Sequence, residues 1–234
     1  MTPKIAILVL ICNAFCAVAQ VSIEGKYESK LENDVVAVYQ LNLEPRASAA
    51  VFQSARDTFW LSLTEAKVRF ARASAGSTDI EFQPGDTRFF PSFETKLVTN
   101  SGNSEFRGVL IALKARGLTT NGCECTGTTG KTVCGCKGAS HLDSLWALSL
   151  GDVTLAGTAL AAGEAFRSAA LRDDMLLVAV TDLDLQDEVK GAVETESYGP
   201  AIRLKAGDAA WVAGGHHQFK NVGSAQARFV TLEF

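Results

Sequence analysis

Residues able to carry chemistry are scarce in this chain, so they can be taken first. Of three histidines, two are adjacent: His216 and His217, within "GDAAWVAGGHHQFKN" (207–221). Of six cysteines, Cys123, Cys125, Cys134 and Cys136 crowd into "NGCECTGTTGKTVCGCKG" (121–138). Imidazoles suit metal binding and proton transfer; thiols suit zinc, disulfides or nucleophilic attack. Other catalytic signatures are missing: there is no G-x-G-x-x-G, Walker loop, G-x-S-x-G or H-E-x-x-H. The run "GTTGKT" (127–132) lacks the G-x4-G-K spacing of a phosphate loop and reads as a turn.

The cysteines follow the pattern C-x-C, eight residues, C-x-C. Positions 123 and 136, and 125 and 134, are symmetric about a turn near Thr129-Gly130. An antiparallel hairpin with that turn sets Cys123 opposite Cys136 and Cys125 opposite Cys134, all four on one face. Directly opposed β-carbons approach to about 4.5–5.5 Å, within reach of disulfide geometry after local twist. Two disulfides are therefore expected. The competing arrangement is a zinc site of the four thiolates, with His141 replacing one. Structural zinc more often uses two or more residues between paired ligands.

Whatever the histidines do, strands must position them. Segments 35–43, 59–71, 96–99, 106–113, 175–186, 201–204 and 227–234 are rich in Val, Leu, Phe and Thr, with Gly, Asn and Asp between them. Only 161–172 has a helical look, and the acids of "TDLDLQDE" (181–188) read as the solvent face of a strand. The chain also repeats itself. Residues 79–114 and 201–234 share an ordered set: Gly85-Asp86 with Gly207-Asp208, Asn100 with Asn221, Gly102 with Gly223, and Phe106 with Phe229. Upstream, Arg56-Asp57 matches Arg172-Asp173 or its neighbour before an apolar strand.

With the repeat in hand, the chain resembles the cupin superfamily, as a tandem two-domain (bicupin) member. "GDAAWVAGGHHQFKN" resembles the second cupin motif, with Gly207-Asp208 opening it, His217 at the histidine position and Asn221 four residues on. The first copy, "GDTRFFPSFETKLVTN", puts Lys96 there. The resemblance implies an all-β fold of two jelly-roll (double-stranded β-helix) barrels, each with a site at its mouth. Aligned on the Arg-Asp pair, the His-x-His positions of the first motif fall on Phe52 and Ser54, and on Ala169 and Leu171 in the second unit. None is a normal ligand for Fe, Mn, Ni or Zn, so no metal cofactor is expected, the alternative being a weak single-histidine site. The ligand-facing positions are thus His217, His216, Lys96, Phe52 and Ser54.

The expected organisation is a signal peptide over 1–19, an N-terminal barrel over 20–115, a cysteine-rich insert over 116–144 and a C-terminal barrel over 145–234. Lys4, the apolar run Ile5 to Ile11 and Ala17-Val18-Ala19 form the leader pattern. The apolar run is short for a membrane span, although a retained N-terminal anchor is the alternative. A secreted or periplasmic location follows, and suits disulfides. A formal charge of −4 without a basic stripe excludes nucleic acid and anionic lipid as partners. The function expected is small-molecule or carbohydrate binding, or a structural envelope role, without a complete metal site. The alternative is a cupin enzyme, a metal-dependent dioxygenase or isomerase or a metal-free one, using His217. The resemblance also implies pairing of two copies through exposed sheet edges, giving a homodimer.

Overall fold

The computed structural model describes residues 26–51, 56–72, 76–90, 95–114, 125–126, 133–134, 146–150, 153–167, 174–190, 196–215 and 217–234, and every regular element among them is a strand. The first unit runs β1 (Lys26–Glu32), β2 (Val36–Leu43), β3 (Ser48–Ala50), β4 (Thr58–Ser62), β5 (Ala66–Arg72), β6 (Ser77–Phe82), β7 (Thr87–Phe90), β8 (Thr95–Asn100) and β9 (Phe106–Leu113). A short hairpin follows, β10 (Cys125–Thr126) and β11 (Val133–Cys134). The second unit runs β12 (Trp146–Leu150), β13 (Val153–Leu160), β14 (Ala165–Arg167), β15 (Met175–Ala179), β16 (Leu183–Lys190), β17 (Glu196–Leu204), β18 (Ala209–Val212), β19 (His217–Asn221) and β20 (Ala227–Glu233).

The two units have one topology. Sheets of order β1-β2-β9-β4-β7 and β3-β8-β5-β6 form the first, and β12-β13-β20-β15-β18 and β14-β19-β16-β17 form the second. Each strand of the first therefore has its counterpart in the second, in the same place and the same chain order. All pairings are antiparallel. The long apolar run 59–71 is two strands, because the chain turns at Leu63–Glu65, and 175–186 divides in the same way at Val180–Asp182.

The helical expectation for 161–172 is not met where the chain is described. Gly163 has φ +79°, outside the right-handed helical region, and Glu164 folds back so that its carboxylate accepts the Ala161 N–H at 2.8 Å. Residues 165–167 then pair with β19 as an edge strand. Sheet pairing and the turn outweigh the local helix preference.

Continuous apolar runs mark strands buried on both faces. Phe59, Leu61, Val109 and Ile111 face one way from the first five-stranded sheet, and meet Leu155, Leu176, Val178, Val230 and Leu232 from the second. The alternate residues face inward. Trp60, Phe70, Phe82, Phe90, Phe106 and Leu110 fill the first barrel, and Leu160, Leu177, Leu185, Phe219 and Phe229 line the second. The two five-stranded sheets thus stack back to back, and the barrels share a third core. Lys30 reaching Asp208 at 3.1 Å and Arg228 donating to the Pro84 carbonyl at 3.2 Å close the rim of that contact.

Candidate functional site

The repeated residues hold matching turns in the two barrels. Gly85 and Gly207 sit at φ +92° and +95°, a left-handed conformation that favours glycine. The following aspartates accept the backbone N–H three residues upstream: Asp86 from Gln83 and Asp208 from Lys205, both at 3.0 Å. Asn100 and Asn221 are fully buried locks. Asn100 Nδ2 donates to the Leu43 and Ser104 carbonyls, and Asn221 Nδ2 to those of Leu160, Ala161 and Ala225. Their Oδ1 atoms accept from Gly102 and Gly223, each at 3.0 Å. These motif residues are scaffold. One pairing needs correction: the ladders place Phe106 opposite Leu43 and Ala227 opposite Leu160, so Phe106 corresponds to Ala227 and Gly108 to Phe229. A large side chain has moved two residues along the strand, and the Phe106 ring covers the space above Gly108.

His217 opens β19 with its ring turned into the second barrel, stacked at 5.7 Å and 3° on Phe219. Nδ1 lies 2.7 Å from Asp187 Oδ2, and Nε2 lies 2.9 Å from the Ala213 carbonyl. The carboxylate and the carbonyl thus each engage one ring nitrogen. Neither nitrogen is left to face a ligand or a metal. Behind Ala213, Asp174 accepts from Gly214 N at 2.8 Å and from Trp211 Nε1 at 3.2 Å, and so fixes the loop leading to His217.

Asp187 corrects the solvent-face reading of "TDLDLQDE". Leu183, Leu185 and Asp187 share the inward face of β16, and Asp187 is 4% exposed. Its position, opposite Phe219, corresponds to that of Phe70, opposite Val98, in the first barrel. There Phe70 stacks on Phe90 at 4.6 Å and meets Trp60 edge-on at 5.5 Å. In the second barrel Val212 and Leu177 stand in for Phe90 and Trp60, so this stack of rings around Phe70 has no counterpart.

Two threonines continue the pattern. Thr158 and Thr231 lie on the inward faces of β13 and β20, at positions the first barrel gives to Leu41 and Leu110. They are 0% and 1% exposed, and both Oγ1 atoms lack a hydrogen-bond partner, as does Asp187 Oδ1. The first unit also has such atoms, Trp60 Nε1, Asp86 Oδ1 and Thr95 Oγ1. By alternation from Thr231, Glu233 is the next inward residue of β20, and burial raises its carboxyl above the usual carboxylate range. None of Asp187, Thr158, Thr231 and Glu233 was singled out from sequence. Alternation in "ARFVTLEF" could have found Thr231 and Glu233, since they continue the phase of Ala227 and Phe229.

Of the other expected site residues, Phe52, Ser54, His216, Cys123 and Cys136 lie outside the described residues, as do Ala169, Leu171, His141 and the leader. Lys96 lies on β8 at the position matching His217, four residues before the lock asparagine. Cys125 and Cys134 are backbone register partners across β10 and β11. Two open clefts, of about 380 and 440 Å³, occupy equivalent places in the two units. One is lined by Glu65, Lys67 and Glu81, and the other by Asp182, Arg203 and Lys205. Present in both units, they follow from the fold.

A first-row metal in a cupin barrel needs three or four converging donors. The His217 nitrogens are engaged, and among the described residues no three His, Cys, Asp or Glu side chains converge. Phe52, Ser54, Ala169 and Leu171 add no suitable donor by their chemistry. Among the described residues, the donors present do not fit such an ion.

No family model matches the chain, and no curated protein matches its sequence. Solved structures do match. AerE from Microcystis aeruginosa aligns with a TM-score of 0.58 at 8% identity, over 89% of this chain and 96% of that one. Oxalate decarboxylase from Bacillus subtilis, a protein with Mn(II) centres, aligns with a TM-score of 0.60 at 11% identity, over 88% of this chain and 74% of that one. The chain therefore has the bicupin fold, two cupin-type jelly-roll barrels in tandem. At such identities the likeness is one of architecture.

Proposed function

We propose that this is an exported bicupin that works by binding a small molecule or carbohydrate in its C-terminal barrel, without a resident metal. One observation carries the reading. Where the N-terminal barrel is filled by Phe70, Leu41 and Leu110, the C-terminal barrel has Asp187, Thr158 and Thr231, each with a buried polar atom lacking a partner. Unpaired buried polar atoms are costly, and a ligand admitted to the barrel would supply the missing bonds. The N-terminal barrel, packed with aromatic rings, then serves as a structural mate through the shared core. The cysteine hairpin, closed by Cys123–Cys136 and Cys125–Cys134 disulfides, staples the insert between them. The leader supplies the route to an oxidising compartment. Catalysis through His217 would require one ring nitrogen to leave its present partner.

The test is to express the full chain with its leader and purify the exported product. Intact mass should match cleavage after Ala19, thiols should titrate only after reduction, and no first-row metal should copurify in stoichiometric amount. Stoichiometric Mn, Fe or Ni overturns the metal-independent reading. Stoichiometric zinc with four titratable thiols overturns the disulfides.

A further inference from the structure

We propose that copies of this chain join head to tail, the outer edge of β6 in one pairing antiparallel with the outer edge of β17 in the next. This holds whatever the C-terminal barrel binds. Among the described residues, β6 and β17 end their four-stranded sheets, with no further strand beside them. Hydrogen-bond parity identifies the backbone groups they leave open. The Lys67 carbonyl accepts from Ser101 on the β8 side, so β5 turns Val68 and Phe70 toward Ile80 and Thr78 of β6. The N–H and C=O of Ser77, Asp79 and Glu81 therefore point to the outer edge. In the second unit the Asp184 carbonyl accepts from Val222 on the β19 side, so Leu183 and Leu185 serve Leu204 and Ile202 of β17. Ala201 and Arg203 are then the open residues of that edge. The opposite ends of these sheets, β3 and β14, are only three residues long and make poor templates.

Charge decides which edges meet. In the first unit the acids lie on the edge strand: Asp79 and Glu81 of β6 pair back to Arg69 and Lys67 of β5. In the second unit the order is reversed. Arg203 of β17 pairs back to Asp184 of β16, and Lys205, one residue past β17, pairs with Asp182. Two β6 edges would set acid against acid, and two β17 edges would set base near base. β6 against β17 brings unlike charges together. With Asp79 opposite Arg203, Glu81 falls opposite Ala201, and each pair exchanges both backbone bonds. One row of the joined sheet then reads Arg69, Asp79, Arg203, Asp184, alternating in sign while both existing ion pairs persist. The same register sets Ile80 against Ile202 and Thr78 against Leu204. Ile80, Ile202 and Leu204 are only partly buried in the separate barrels, and the join covers them. Pro200, which has no N–H, falls opposite Phe82, whose backbone already serves β5, so it costs no bond. Because the two edges are unlike, every copy added leaves one free edge of each kind, and growth continues as a chain or closes as a ring. So short a join falls below the about 1,200 Å² of a standard interface, and is therefore weak and sensitive to salt.

The experiment is sedimentation velocity on the exported full-length protein, from about 5 µM to about 1 mM, at low salt and in about 1 M NaCl, where the Debye length shrinks to about 3 Å. At low salt the average mass should climb with concentration past that of two chains, and high salt should weaken the association about tenfold or more. Asp79→Lys alone and Arg203→Asp alone should each abolish association while circular dichroism stays unchanged. Mixed together, the two variants should associate again, since each edge of one then meets an oppositely charged edge of the other. Glu81→Pro removes an outward N–H without breaking the β5 ladder, and should weaken association about tenfold. A mass that stays at one chain throughout overturns the proposal. So does a plateau at two chains, which marks a closed pair of like edges. Association of either charge variant at parental strength, or a mixture that fails to associate where the parent does, overturns it as well.

Discussion

Removing one member of the His217–Asp187 pair should cost far more than removing both. The two side chains are 10% and 5% exposed and 2.7 Å apart, so each is the other's main compensation for leaving water. His217→Leu leaves Asp187, whose Oδ1 already lacks a partner, with Oδ2 unpaired as well, and should destabilise the protein by about 3–5 kcal/mol. Asp187→Leu leaves a ring whose Nε2 can keep its bond to the Ala213 carbonyl, so the loss should be smaller, about 1–3 kcal/mol. The double variant removes both polar groups from a site that the first barrel fills with Phe70, and should fall within about 1 kcal/mol of the parent. The coupling in the double-mutant cycle is then about 3 kcal/mol or more. Guanidinium unfolding followed by tryptophan fluorescence and far-UV circular dichroism measures it, provided the two probes give one midpoint and the slope does not change. Additive single effects would refute the reasoning, because they would mean that neither side chain depends on the other for its burial.

Two further outcomes follow from the same structure. Asn221→Ala orphans the carbonyls of Leu160, Ala161 and Ala225 and the N–H of Gly223, and Asn100→Ala orphans the matching set, so each should lower unfolding stability by about 2–4 kcal/mol; a loss below about 1 kcal/mol in either would contradict the lock assignment. The raised carboxyl of Glu233 binds its proton more tightly folded than unfolded, so stability should fall as pH rises from the usual carboxylate range through the folded value. Glu233→Gln should remove that decline, and parallel pH–stability curves for parent and variant would count against it.

The repeat was legible because turn chemistry is written in consecutive residues. Gly85-Asp86 and Gly207-Asp208 each combine a left-handed glycine with an aspartate that bonds three residues back, and both partners lie in the same short stretch. The span 106–113 was readable as a strand for a related reason: an unbroken apolar run needs no knowledge of its neighbours to read as buried. Position 161–172 misled because Ala, Glu and Arg favour helix locally, while the pairing that draws 165–167 into a sheet comes from β19, more than fifty residues away.

By itself, then, the sequence determined the strands, the turns and the duplicated unit, all properties of residues near one another along the chain. Tertiary structure alone decided which way those strands faced and what met them. Asp187 looks like one more acid in an acid-rich strand until register places it inward, opposite Phe219 and beside His217. Thr158 and Thr231 are ordinary strand residues until the first barrel supplies Leu41 and Leu110 for comparison. A β-strand has two faces that its own residues cannot label, because burial depends on the partner sheet, and the candidate site lies on the face that only the closed barrel defines.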